Sequence, residues 1–95
     1  MARTPKLPDG DVSAALAALA GWARTGDVIE KTFERASFAA AIAFVVQIGF
    51  LAEAADHHPD LDVRWRRVRV ALTTHDSNGL TQLDLDLAQQ IEGIA

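Results

Sequence analysis

Apolar positions along the chain recur at two spacings, and each spacing predicts an element. Val12, Ala15, Leu16 and Leu19 are three and four apart, which puts them on one face of a short helix that Asp11 can cap and Gly21 can end. Trp22-Ala23-Arg24 and Val28 to Glu34 read instead as two short strands around the turn Thr25-Gly26-Asp27. Ile29 and Phe33 share one face of the second strand and Glu30, Thr32 and Glu34 the other, a half-buried antiparallel hairpin. Ser37 is an N-cap for the longest apolar run, Phe38 to Ala52, broken only by Gln47. The run falls short of the roughly 20 apolar residues that cross a bilayer. It predicts a central helix with one face on the sheet and another on a second subunit. A Phe38/Ile42/Val45/Gly49 stripe is assigned to its core face.

The second half continues the pattern. After a loop at Asp60-Leu61-Asp62, residues 63 to 74 alternate as one strand, with Val68, Val70 and Leu72 inward. Arg67, Arg69, Ala71, Thr73 and His75 point outward. Asp76 to Gly79 is a turn, and Thr81 caps a closing helix with Leu83, Leu87 and Ile91 inside. The order α-β-β-α-β-α predicts an α+β fold, a small antiparallel sheet with helices packed on one face. Residues 1–10, with two prolines, a glycine and two basic residues, are expected as a loose arm ahead of a single domain over 11–95.

Composition adds a partner. A hydrophobic share of 49% is high for 95 residues, so part of it is expected between subunits of a homo-oligomer. The formal charge of -4 argues against nucleic acid as the main partner. Arg64, Arg66, Arg67 and Arg69 are the local exception, and ion pairing on a solvated strand accounts for them. The absence of cysteine removes disulfides, thiolate metal sites and thiol nucleophiles. Met1 to Lys6 lacks the apolar run of a signal peptide, so a cytoplasmic protein with no membrane partner is expected.

All three histidines fall between Glu53 and Asp76, at His57, His58 and His75. Histidine alone has an unperturbed pKa, about 6.5, suited to moving protons near neutrality. Three readings compete for the cluster. The rings can simply cap a helix end and a turn. They can hold a metal, although Pro59 extends the chain so that adjacent His57 and His58 diverge, and no His-x-His or His-x-x-x-His spacing is present. Or they can act as unmetallated general acid and base, in an elimination of water that needs one of each. Glu53 lies four residues before His57 and can orient it if the last helical turn holds. Trp22 or Trp65 can supply an aromatic wall for a flat substrate.

At these residues the chain resembles the pterin-4a-carbinolamine dehydratase family. The motif is met by Glu53, His57-His58-Pro59, Trp65, His75 and Asp84. The likeness extends through Trp22, Phe33 and Phe38, the Val-Arg-Val-Ala-Leu-Thr-Thr-His run, and Gly79-Leu80-Thr81, covering roughly residues 5 to 93. Asn78 stands where many members carry glycine, in a turn that tolerates both. The resemblance implies dehydration of 4a-hydroxytetrahydropterin to quinonoid dihydropterin, with neither metal nor organic cofactor. It implies His57 and His75 as the acid–base pair and His58 as the group that orients the pterin. Asp56, Thr73, Thr74, Asp76 and Trp22 are the implied substrate contacts, and Glu53 and Asp84 the supporting carboxylates. A dimer or tetramer is implied too. Because some members serve as transcriptional cofactors or assembly factors, the competing reading is a non-catalytic interaction protein acting through its helices.

Overall fold

In the computed structural model, which describes residues 4–95, the first helix α1 spans Asp9–Leu16. It begins three residues before the expected start, with Pro8 instead of Asp11 at the N-cap and Asp9 and Asp11 in the first turn. Asp11 is therefore inside the helix, where its charge favours the N-terminal dipole without capping it. The helix also ends five residues short of Gly21. Ala17 to Gly21 continue as tight turns, closed by Leu19 N–H donating to Leu16 O at 3.0 Å, and Gly21 takes a left-handed φ of 85°. Of the expected arm, residues 1–3 lie outside the described residues. Farther along it, Leu7 N–H donates to Leu80 O at 2.9 Å.

Strands β1, Ala23–Thr25, and β2, Val28–Glu34, form the expected hairpin, with Thr25 opposite Val28. Helix α2 follows at Phe38–Ala55, opened by Ser37 Oγ accepting the Ala40 N–H at 3.1 Å. Strand β3, Asp60–Arg64, then occupies the stretch expected as a loop, and β4, Arg67–Leu72, pairs with it. The single strand expected over 63–74 is thus two strands, and the order becomes α-β-β-α-β-β-α. Arg64 sits opposite Arg67, so Trp65 and Arg66 form a two-residue turn, and Trp65 adopts a left-handed φ of 53°. Such turns normally announce themselves with Asn or Gly; here a tryptophan carries the strained backbone. Helix α3, Gln82–Ile94, closes the chain.

The sheet is antiparallel in the order β1-β2-β4-β3. Ile29, Phe33, Val68, Val70 and Leu72 form its inner face with the helices packed on them. From α2 the buried residues are Ala41, Phe44, Ile48 and Ala52, a stripe beside the expected one. Phe38 and Ile42 are exposed instead, and Val45 and Gly49 only half-buried. By composition α2 can cross a membrane, with mean hydropathy 1.9 over 18 residues. Its inner stripe nonetheless packs on the sheet, so it is the central helix of a globular core. Phe44 anchors that core, meeting the Phe33 ring edge-on at 5.0 Å while the Arg35 guanidinium covers it at 4.7 Å. From α3 the buried set is Asp84, Leu85, Leu87, Ala88 and Ile91, whereas Leu83 is only half-buried. On the outer sheet face Arg66 pairs with Glu34 at 2.9 Å, Arg64 with Asp62 at 3.3 Å, and Arg69 with Glu30.

Candidate active site

Two backbone reversals and one helix start bring the histidines together. At the end of α2, Asp56 takes a left-handed conformation, φ 49°, and His57 N–H donates back to Ala52 O at 3.1 Å. The reversal takes His57 off the helix, so its expected alignment with Glu53 is not realised. Glu53 instead accepts from His58 Nε2 at 2.6 Å, an exposed pair. His57, 9% exposed, turns inward and its Nε2 lies 2.6 Å from Asp84 Oδ1 on α3. A carboxylate oxygen only accepts, so the His57 proton in this pair sits on Nε2. The adjacent rings diverge, as extended backbone before Pro59 requires.

The second reversal follows β4. His75–Ser77 is a single 3₁₀ turn that leaves through Asn78 at φ 55°, the left-handed position where glycine or asparagine fits. Thr74 and Gly79 bridge its base, Thr74 N–H donating to Gly79 O at 3.1 Å. His75 is thereby held exposed at the mouth of the site.

Asp84 is the hub. It is fully buried at the third position of α3, where Oδ2 accepts the Thr81 N–H at 2.9 Å and completes a capping box. The same oxygen accepts the Thr74 hydroxyl at 2.8 Å. Its carboxylate therefore anchors the helix start with one oxygen and orients His57 with the other.

These segments enclose a cleft of about 270 Å³ lined by Asp56, His57, His58, Thr73, Thr74, His75, Asp76 and Leu83. Of the sequence-derived site residues, all three histidines, Asp56, Thr73, Thr74 and Asp76 line it. Glu53 and Asp84 stand behind it through their histidine bonds. Trp22 does not belong: it is buried, donates from Nε1 to Glu92 Oε1 at 2.9 Å, and packs edge-on against Phe33 at 6.0 Å. Trp65, 70% exposed at the β3–β4 turn, is not in the cleft either. Sequence reasoning missed Leu83, whose position two residues beyond the Thr81 cap places it in the cleft wall. A larger groove of about 440 Å³, between the end of α1 and α3, contains Leu19, Leu85 and Gln89 but no histidine, so volume alone does not locate the chemistry. Among the described residues no three histidines and carboxylates converge as metal ligands.

Two of the three imidazoles in the cleft are thus bonded to carboxylates, one pair buried and one exposed, beside the exposed His75 ring. The family model for Pterin 4 alpha carbinolamine dehydratase matches residues 5–94, and the chain belongs to that family. It is 57% identical over 89 residues to a protein of Roseiflexus sp. (strain RS-1), covering 94% of this chain and 96% of the relative. A Nocardia farcinica protein is 48% identical over 92 residues, with 97% of each chain covered. Both relatives carry the name pterin-4-alpha-carbinolamine dehydratase provisionally. Among solved structures, a Brucella melitensis protein titled transcriptional coactivator/pterin dehydratase superposes with a TM-score of 0.91. It is 36% identical, with 95% of this chain and 98% of that one covered. A pterin dehydratase-like protein titled as a RuBisCO assembly factor in the alpha-carboxysome shares the fold, with a TM-score of 0.65 at 20% identity over 78% of this chain and 86% of that one.

Proposed function

We propose that the chain removes water from 4a-hydroxytetrahydropterin to give quinonoid dihydropterin, using His57 and His75 as its acid–base pair. The observation that carries this reading is the placement of both rings on one cleft, with His57 held by Asp84. The reaction breaks the bond between the ring carbon and its hydroxyl oxygen, which leaves as water after taking a proton from one imidazolium. The other imidazole takes the proton of the neighbouring ring nitrogen, whose electron pair closes the new double bond. Elimination of this kind needs two proton-transfer groups, each contributing about 10²–10⁴-fold, and no redox partner. His58, tied to Glu53, orients the pterin, while Asp56, Thr73 and Asp76 provide contacts to its ring. The setting that fits a chain of this kind is the cytoplasm.

Stopped-flow dehydration of synthetic 4a-hydroxytetrahydropterin tests it. The parent protein is expected to exceed the spontaneous rate, and His57→Ala and His75→Ala are each expected to remove most of that excess. A folded parent protein with no acceleration would sink the enzyme reading.

A second feature favours association. Phe38, Ile42, Val46 and Phe50, each four residues apart on α2, are 53%, 41%, 52% and 73% exposed. An apolar stripe of this extent on one helix marks an interaction face, and a second copy of this chain, packed helix on helix, is its proposed occupant. Light scattering after size exclusion should give a multiple of the chain mass, reduced by Phe50→Glu with the far-UV spectrum unchanged. A parent protein of monomer mass at micromolar concentration contradicts the homo-oligomer and leaves the face to a different protein, the non-catalytic alternative.

A further inference from the structure

Two buried hydroxyls are not used by the acid–base scheme, that of Thr74 in the cleft wall and that of Thr81 behind it, the residues being 7% and 0% exposed. We propose that Thr74 is a positioning residue for the dehydration, acting through Asp84 to hold His57 in one tautomer. The role rests on the acid–base reading of His57.

The direction of every hydrogen bond in the cluster follows from its two ends. Leu83 N–H can only donate, and the Asp84 carboxylate can only accept. Leu83 N–H donates to Thr81 Oγ1 at 3.2 Å. Thr81 and Thr74 hydroxyls lie 2.8 Å apart, and Thr74 Oγ1 lies 2.8 Å from Asp84 Oδ2. Each hydroxyl has one proton. If Thr74 gives its proton to Asp84, Thr81 must give its own to Thr74, and one consistent chain runs from the start of α3 to the carboxylate. Aligned chains of this kind polarise each other and strengthen in a buried setting.

The consequence falls on His57. Oδ2 is held by two donors from different elements, the Thr81 N–H at 2.9 Å and the Thr74 hydroxyl. The carboxylate cannot rotate without breaking both, so Oδ1 stays aimed at His57 Nε2, 2.6 Å away. Nε2 then keeps its proton and Nδ1 is the nitrogen free to gain one. Thr74 is itself fixed by both backbone groups, its N–H and C=O bonding Gly79 at 3.1 and 3.4 Å. Its hydroxyl donates once and accepts once inside the protein, so its single proton is committed to Asp84. Since His75 is the next residue, Thr74 also ties the segment bearing one histidine to the carboxylate that orients the other.

The test compares Thr74→Val, which keeps the shape and loses the hydroxyl, with Thr74→Ser, which keeps the hydroxyl. The ¹⁵N spectrum of the His57 imidazole in the free protein reports the tautomer, and stopped-flow gives kcat and KM. Parent and Thr74→Ser are expected to show one tautomer protonated at Nε2. Thr74→Val is expected to show a mixture, with kcat lowered about tenfold and KM changed less than about twofold. Phe44→Leu, a core change outside the site, is expected to lower stability and leave the tautomer alone. A parent-like spectrum and kcat in Thr74→Val overturn the proposal, and so does Thr74→Ser impaired as much as Thr74→Val. Should Thr74→Val not fold, Thr74→Cys retains a weak donor of similar shape. An intermediate tautomer ratio supports the role, and a parent-like one overturns it. The spectrum is read without substrate, so absent dehydratase activity would sink the functional reading while the positional one stands or falls on the tautomer.

Discussion

Asp84→Asn should separate the structural duty of this carboxylate from its duty at the site. Asp84 accepts from three donors, His57 Nε2 at 2.6 Å, the Thr74 hydroxyl at 2.8 Å and the Thr81 N–H at 2.9 Å. An amide offers one accepting oxygen and one donating NH₂. The Thr81 N–H can only donate, so it requires the amide oxygen on its side and turns the NH₂ toward His57. The ring must then present an acceptor at Nε2, which moves its proton to Nδ1. For stability, each of the three bonds falls from ~1.5–3 kcal/mol at a charged acceptor to ~0.5–1.5 kcal/mol at a neutral one, about 3–5 kcal/mol together. The several kcal/mol no longer needed to bury the charge offset most of it, leaving a net loss of about 1–2 kcal/mol. Against a typical total of ~5–15 kcal/mol the variant stays folded. For catalysis, a proton-transfer group in the wrong tautomer forfeits a factor of about 10²–10⁴, or about 3–5 kcal/mol in the barrier. The barrier change exceeds the stability change. Urea unfolding and stopped-flow dehydration on the same preparation measure both, and a kcat within about threefold of the parent refutes a functional His57–Asp84 pair.

Three further outcomes follow from particular contacts. Trp22→Phe keeps the edge contact with Phe33 and loses the Nε1 bond to Glu92, so stability should fall by about 1 kcal/mol with KM unchanged; a severalfold rise in KM would return Trp22 to the substrate. Trp65→Asn relieves a left-handed residue that costs ~1–2 kcal/mol at the loss of one stacking contact with Arg66, so Tm should rise by a few degrees; a lower Tm would mean that the stack outweighs the strain. His57 and His58 each bond a separate carboxylate through Nε2, so exhaustive chelation should leave the dehydration rate unchanged; a loss restored by added zinc would contradict the metal-free scheme.

Periodicity made the inner sheet face legible, because Ile29, Phe33, Val68, Val70 and Leu72 are dictated by a period of two. The β3–β4 turn was hidden because its left-handed position is a tryptophan, which carries no turn signal. A trace of it remains in the phase of the valines. Val63 and Val68 sit opposite each other on the same face yet are five apart, an odd separation that one unbroken strand cannot produce. On α2 the apolar pattern runs nearly all round, so the sequence could not select which stripe meets the sheet. Ala41, Phe44, Ile48 and Ala52 face inward and Phe38, Ile42, Val46 and Phe50 outward, two stripes of comparable apolar content. The three histidines were visible as a cluster, but their carboxylate partners depended on the reversal at Asp56. A helix continued through His57 would have kept it beside Glu53. The left-handed turn moves it to Asp84 and gives Glu53 to His58.

That exchange explains how a chain of 95 residues can hold a buried histidine in one orientation. A small domain has little interior in which to bury a dedicated polar network, since each buried polar atom needs a partner. Here the partners are already required. The start of α3 must satisfy its free N–H groups, and the capping box does so with Thr81 and Asp84. One carboxylate oxygen completes the cap and the other is left to accept from a second group. His57 takes that position, and Thr74 secures the arrangement from the end of β4. The orienting group of the site therefore adds no buried charge beyond what the helix start already uses. The same economy makes the site intolerant: a change that loosens the α3 cap also releases His57, so loss of activity should precede loss of fold as the cap is weakened.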